Sequence, residues 1–175
     1  MILDDLGDAE ASAQLRVCCG SHRWIDSMIA ARPFKSPQRA REQADRIWNG
    51  LSREDWLEAF DHHPRIGEKK AAIVQNASGA ALSSQEQARV ASADEQTKGQ
   101  LAQVNAEYER RFGYIYIVCA SGRSAEELLT IARGRLQNDP EKELHVAAEE
   151  QRKIMQLRLA NLLEPTQADP SLRSG

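Results

Sequence analysis

The amino-acid sequence predicts an all-α fold, a single-domain helical bundle with one short buried extended segment. Three observations lead there. Apolar residues recur at three- and four-residue spacing over most of the chain from Pro37 onward, as in helices that bury one face. Helix-start and helix-stop residues stand at the ends of those stretches. One segment, residues 114–120, is β-branched and aromatic, and no second segment of that character exists to pair with it.

From Pro37, Ala40, Ala44, Ile47 and Leu51 line a helix that Gly50 breaks. Ser52 is an N-cap for a short helix carrying Trp56, Leu57 and Phe60. Leu101, Val104, Tyr108 and Phe112 share one face of a long helix that stops at Gly113. Ser124 and Glu127 have capping-box spacing, with Leu128, Ala132 and Leu136 behind them. Pro140 fits the first turn of a last long helix that buries Leu144, Ala148, Met155, Leu159 and Leu162. The extended segment is expected to lie buried between two helices, its backbone groups unpaired and open to a ligand.

With 175 residues the chain can build one well-buried core and is short for two. The domain is expected over 1–165, with 166–175 as a flexible tail, because the end is polar and contains Pro170. A net charge of −3 gives no general attraction to nucleic acid. No apolar run approaches the roughly 18 residues of a membrane span. Met1-Ile2-Leu3-Asp4-Asp5 lacks the layout of a secretory signal, and the chain does not end in Ser-Lys-Leu. Cys18, Cys19 and Cys119 suggest neither a disulfide framework nor a metal site. A reducing cytoplasm is the compartment expected.

Four places can hold chemistry. Asp61-His62-His63-Pro64-Arg65-Ile66-Gly67 sets a histidine against a proline where a helical pattern ends. Proline pushes the preceding residue out of the helical region, so His63 stands on a stiff corner, with a side chain able to trade protons near neutrality. The same arrangement also suits an ordinary helix end. Ser83-x-x-Glu86-Gln87 reads as a capping box whose glutamate could also face a cleft. Arg133 and Arg135 complement a helix C-terminus or clamp a carboxylate. The extended segment is core or binding strip. Adjacent His62 and His63 cannot readily share one metal ion, and His22 and His145 lack ligand spacing.

Together these places resemble the OHCU decarboxylase family (2-oxo-4-hydroxy-4-carboxy-5-ureidoimidazoline decarboxylases of urate degradation). The resemblance rests on His63-Pro64-Arg65-Ile66-Gly67-Glu68, Ser83-x-x-Glu86-Gln87 and Asn105-x-x-Tyr108-x-x-Arg111-Phe112-Gly113-Tyr114. It continues through Tyr116-Ile117-Val118-Cys119-Ala120, Arg135-Leu136-x-Asn138 and Glu150-x-x-Lys153-Ile154. It implies an all-α fold and a decarboxylation to (S)-allantoin without cofactor or metal, the small molecule OHCU being the substrate. By the family pattern His63 resembles the proton-transfer residue, with Pro64 beside the substrate and Glu86 as acidic partner. Ser83 and Gln87 resemble substrate-binding positions, Arg135 a carboxylate anchor, and Ile117, Val118 and Cys119 the strip that reads the polar ring edge. His62 is left structural. Urate oxidase and hydroxyisourate hydrolase are the implied pathway neighbours. Amphipathic helices serve cores and dimer faces alike, so the pattern is compatible with a homodimer. The competing readings are a non-catalytic helical interaction module and, more weakly, a metal-dependent hydrolase.

Overall fold

A computed structural model describes residues 1–65 and 95–164. Among them are eight α-helices and no strand. They are α1 (Ile2–Asp5), α2 (Asp8–Cys18), α3 (His22–Ala30), α4 (Pro37–Asn49), α5 (Arg53–Asp61), α6 (Glu95–Phe112), α7 (Ala125–Arg135) and α8 (Pro140–Leu163). None of these helices is long and apolar enough to cross a membrane.

Local chemistry sets most of the ends. Ser36 accepts from the Arg39 N–H ahead of Pro37, and Gly50 closes α4. Ser52 and Asp55 form a full capping box at α5, as Ser124 and Glu127 do at α7. α6 stops at Gly113, whose φ of 81° is a conformation L side chains rarely adopt. Asp139 caps α8 before Pro140.

Three tryptophans tie the helices together by donating their indole N–H across elements. Trp24 on α3 donates to the Ala44 carbonyl on α4 at 3.2 Å. Trp48 on α4 reaches the Ala148 carbonyl on α8 at 3.2 Å, and Trp56 on α5 reaches the Trp48 carbonyl at 3.3 Å. Each indole thus buries apolar area while its one donor is satisfied. α8 packs against α2, α4 and α5, while α6 and α7 pair with each other.

The segment 114–120 is buried and irregular, as expected, but two of its backbone groups are taken. The Ile117 carbonyl accepts from Arg135 Nη1 at 2.7 Å, and the Cys119 N–H donates to Glu150 Oε2 at 2.8 Å. Helices α7 and α8 supply partners that a sheet would otherwise provide. The expectation of a fully unpaired strip is corrected at these two groups.

Candidate active site

His63 follows the last turn of α5. His62 is the C-cap of α5, with φ −84° and ψ 0°, and the His63 N–H donates to the Phe60 carbonyl at 3.0 Å. The corner is held on three sides. Glu58 accepts from the His22 N–H at 2.9 Å and also pairs with the His22 ring, fastening α5 to the start of α3. Burial alone would raise the Glu58 pKa, but these bonds outweigh it and hold the value below the ordinary one. The His62 ring bonds the Glu58 carbonyl through Nδ1 at 3.0 Å and lies against Gly20, where a Cβ would stand 2.2 Å from its Cγ. Beyond Pro64, Arg65 makes a two-pronged pair with Glu109 of α6, at 2.5 and 2.9 Å. These clamps hold the chain on both sides of His63.

His63 is half-buried by area, yet burial of its ring is the first cause of a pKa pushed down to about 3. The Arg158 cation lowers it further, as does His62, while a Gln151 hydrogen bond acts in the opposite sense. The imidazole is therefore neutral near physiological pH, with one nitrogen able to accept a proton and the other bearing one.

Arg158 is the site residue that sequence reasoning missed. It lies on α8, is half-buried, and donates from Nη1 to the Val17 carbonyl at the end of α2 at 3.2 Å. It puts a positive charge within electrostatic reach of His63 and of Cys18 and Cys19. Burial nonetheless pushes both thiols up to about 12, so they stay protonated and unreactive. Val17, Cys18, His63, Gln151 and Arg158 thus converge from three elements. The signal in the sequence is a charge three residues after Met155 on the helix that buries that residue.

Arg135, the expected anchor, is buried in an ion pair. Its side chain is 8% exposed and pairs with the fully buried Glu143 at 2.6 Å. Nε donates to Glu143 at 2.7 Å, Nη1 to the Ile117 carbonyl and Nη2 to the Tyr108 hydroxyl at 3.2 Å. Burial opposes its charge, but Tyr108 and Glu143 more than offset that and hold its pKa above the ordinary value. Burial in turn pushes the Tyr108 hydroxyl well up. This arginine fastens the extended segment to α7 and α8.

Pro64 is half-buried beside His63, and Ile117, Val118 and Cys119 are buried. Cys119 also lines a cleft of about 900 Å³ between α4 and α8, with Asp45, Arg152 and Lys153. That cleft does not include His63, Gln151 or Arg158. Ser83, Glu86 and Gln87 lie outside the described residues. Among the described residues no histidine, cysteine and carboxylate cluster could hold a metal ion.

An all-helical domain that holds a neutral histidine on a rigid corner near a guanidinium is suited to moving a proton on an anionic small molecule. The chain belongs to the OHCU decarboxylase family, whose profile matches residues 4–160. It is similar to the uric acid degradation bifunctional protein TTL of Arabidopsis thaliana, at 35% identity over 84% of this chain and 45% of that one. It is also similar to the 2-oxo-4-hydroxy-4-carboxy-5-ureidoimidazoline decarboxylase of Mus musculus, at 38% identity over 45% of this chain and 44% of the other. The chain therefore spans about half the length of these curated relatives, or less. Among solved structures, an OHCU decarboxylase crystallised in the presence of (S)-allantoin superposes with a TM-score of 0.74 at 36% identity, covering 90% of this chain and 99% of the other. An (S)-allantoin synthase, at 19% identity and a TM-score of 0.68 over 91% of this chain and 52% of the other, shares the fold.

Proposed function

We propose that this protein is a cofactor-independent decarboxylase that converts OHCU to (S)-allantoin in urate degradation, with proton delivery to one face of the product carbon. The observation that carries this is the neutral His63 held on its corner near Arg158, in a chain of this family. In OHCU, carbon 4 carries a hydroxyl and a carboxylate, and carbon 5 carries the ureido group and a ring C=N. As carbon dioxide leaves, the electron pair of the broken bond forms a C4–C5 double bond, and the C=N pair moves onto the ring nitrogen, which takes a solvent proton. His63 accepts the hydroxyl proton and passes it to carbon 5, leaving the carbonyl of allantoin at carbon 4. A neutral base suits the first transfer, and the resulting imidazolium suits the second.

Arg158 takes the carboxylate-anchoring role that the family pattern gives to Arg135, because its charge lies within reach of His63 and that of Arg135 is committed to Glu143. Arg135 supports the reaction indirectly by shaping the strip around Ile117, Val118 and Cys119. Pro64 keeps His63 aimed. The family resemblance supports Glu86 as the acidic partner of His63, and Ser83 and Gln87 as substrate hydrogen-bonding groups. A cytoplasmic setting beside urate oxidase and hydroxyisourate hydrolase fits this reading.

OHCU generated freshly by those two enzymes is the substrate for the test. The wild-type protein should speed its decay and yield optically active allantoin. His63→Ala and Glu86→Ala should each lose about 10²- to 10⁴-fold in rate while keeping the helical circular dichroism spectrum. Wild-type protein that neither accelerates the decay nor produces optical rotation would end the proposal.

A further inference from the structure

On α8 the apolar stripe Leu144, Ala148, Met155, Leu159 leaves one gap, at the position seven residues after Leu144 and seven before Arg158. Gln151 fills it. A leucine or methionine would serve packing better, because Gln151 is 0% exposed and neither its Nε2 nor its Oε1 completes a hydrogen bond among the described residues. Leaving such groups buried and unsatisfied destabilises a fold. Its neighbours are engaged elsewhere: Glu150 on one side holds the Cys119 N–H and Lys153, and Arg152 on the other holds Asp45 and Glu149. The carboxamide faces His63 closely enough to act on its ring as a hydrogen-bonding group, without reaching well-formed geometry. Contacts of this kind in unliganded sites often tighten only when substrate binds.

We propose that Gln151 is the positioning residue for His63: its carboxamide holds one imidazole nitrogen so that the other faces the substrate. A carboxamide carries both a donor and an acceptor and so can pair with either nitrogen of a neutral imidazole. The other ionisable groups facing that ring are Arg158 from α8 and His62 from the same corner. This inference rests on the decarboxylase reading for its effect on turnover, but not for the contact itself.

Two variants test it. Gln151→Met keeps the length and removes both polar atoms. It should raise or preserve the melting temperature while lowering kcat about 10- to 100-fold, with KM within about twofold and reduced enantiomeric excess, because a loosened imidazole misplaces the proton. Gln151→Glu puts a carboxylate beside His63, so the imidazole followed by NMR should titrate at least about one pH unit higher than in the wild type. The acid limb of the kcat/KM profile should move with it. Gln151→Met retaining kcat within twofold, or Gln151→Glu leaving the His63 titration where it was, overturns the proposal. Should wild-type protein prove inactive on OHCU, the decarboxylase reading fails and the NMR arm still decides the contact. Should Gln151→Glu not fold, the kcat and melting temperature of Gln151→Met decide it.

Discussion

Two arginines with the same charge have opposite fates in this fold, and neighbours alone decide it. Arg135 meets a fully buried glutamate and two further acceptors, the Ile117 carbonyl and the Tyr108 hydroxyl, so its charge is spent on the structure. Arg158 sits half-buried near a histidine whose protonation it opposes. Removing one partner of a buried ion pair leaves the other charge uncompensated, which costs roughly 3–5 kcal/mol. Arg135→Gln should therefore lower the melting temperature by roughly 10 °C, measured by circular dichroism. Arg158→Gln should change the melting temperature by less than about 3 °C and cost about 100-fold in kcat/KM on OHCU. The reverse pattern would return the anchoring role to Arg135. The sequence does not separate the two, because both lie in helices and the deciding partner, Glu143, is contributed across a turn by the next helix. The stiff corner at His63, by contrast, is legible from its proline, since that restriction is local, while the histidine's role is implied only by the family resemblance.

Among the elements, those with strong punctuation are legible in the amino-acid sequence. Ser52, Gly50, Gly113, Ser124 and Pro140 mark helix ends because each satisfies or forbids a specific backbone group. Of the N-terminal helices, α3 has an N-cap at Ser21 and a buried face of Trp24, Ile25 and Met28, whereas α2 is not legible in this way. The buried face of α2 is Ala11, Leu15 and Cys18, a narrow stripe with one large apolar residue that contrasts weakly with its surroundings. Their proximity to the corner matters, since the loop after α2 carries Gly20 against His62. Gly20→Ala would drive a Cβ to within 2.2 Å of the His62 ring, so either the ring or the corner must move. We expect a modest fall in melting temperature and a loss of about 10- to 100-fold in activity, since His63 follows His62 directly. Gly50→Ala, whose Cβ would meet no atom closer than 3.6 Å, should leave activity within twofold. Equal losses in both variants would show that the corner is not what Gly20 protects.

At the scale of the whole molecule, the buried groups set the pH range over which the fold is stable. His63 takes a proton near 6.5 when unfolded but only near about 3 when folded. Between those values the unfolded chain binds more protons, so stability falls as the pH falls. Glu58, Glu149 and Glu150 have folded pKa values below their ordinary 4.5, held there by His22, Arg152 and Lys153 respectively, with burial opposing each. Their contribution is present above 4.5 and is lost as the pH drops through the folded values. Cys18 and Cys19 act at the other end: burial raises them from 9.0 to about 12. Above 9.0 the unfolded thiols ionise while the folded ones do not, and stability declines as the pH rises. The urea midpoint should therefore be flat between about pH 6.5 and 9, fall gently from 6.5 to 4.5, and fall steeply below. His63→Asn removes the gentle stage and also lessens the slope from pH 4.5 to about 3, because asparagine fills a similar space and does not titrate. A variant curve parallel to the wild type between pH 6.5 and 4.5 would show that His63 is not held neutral by the fold, and with it would go the resting base on which the proton transfer depends.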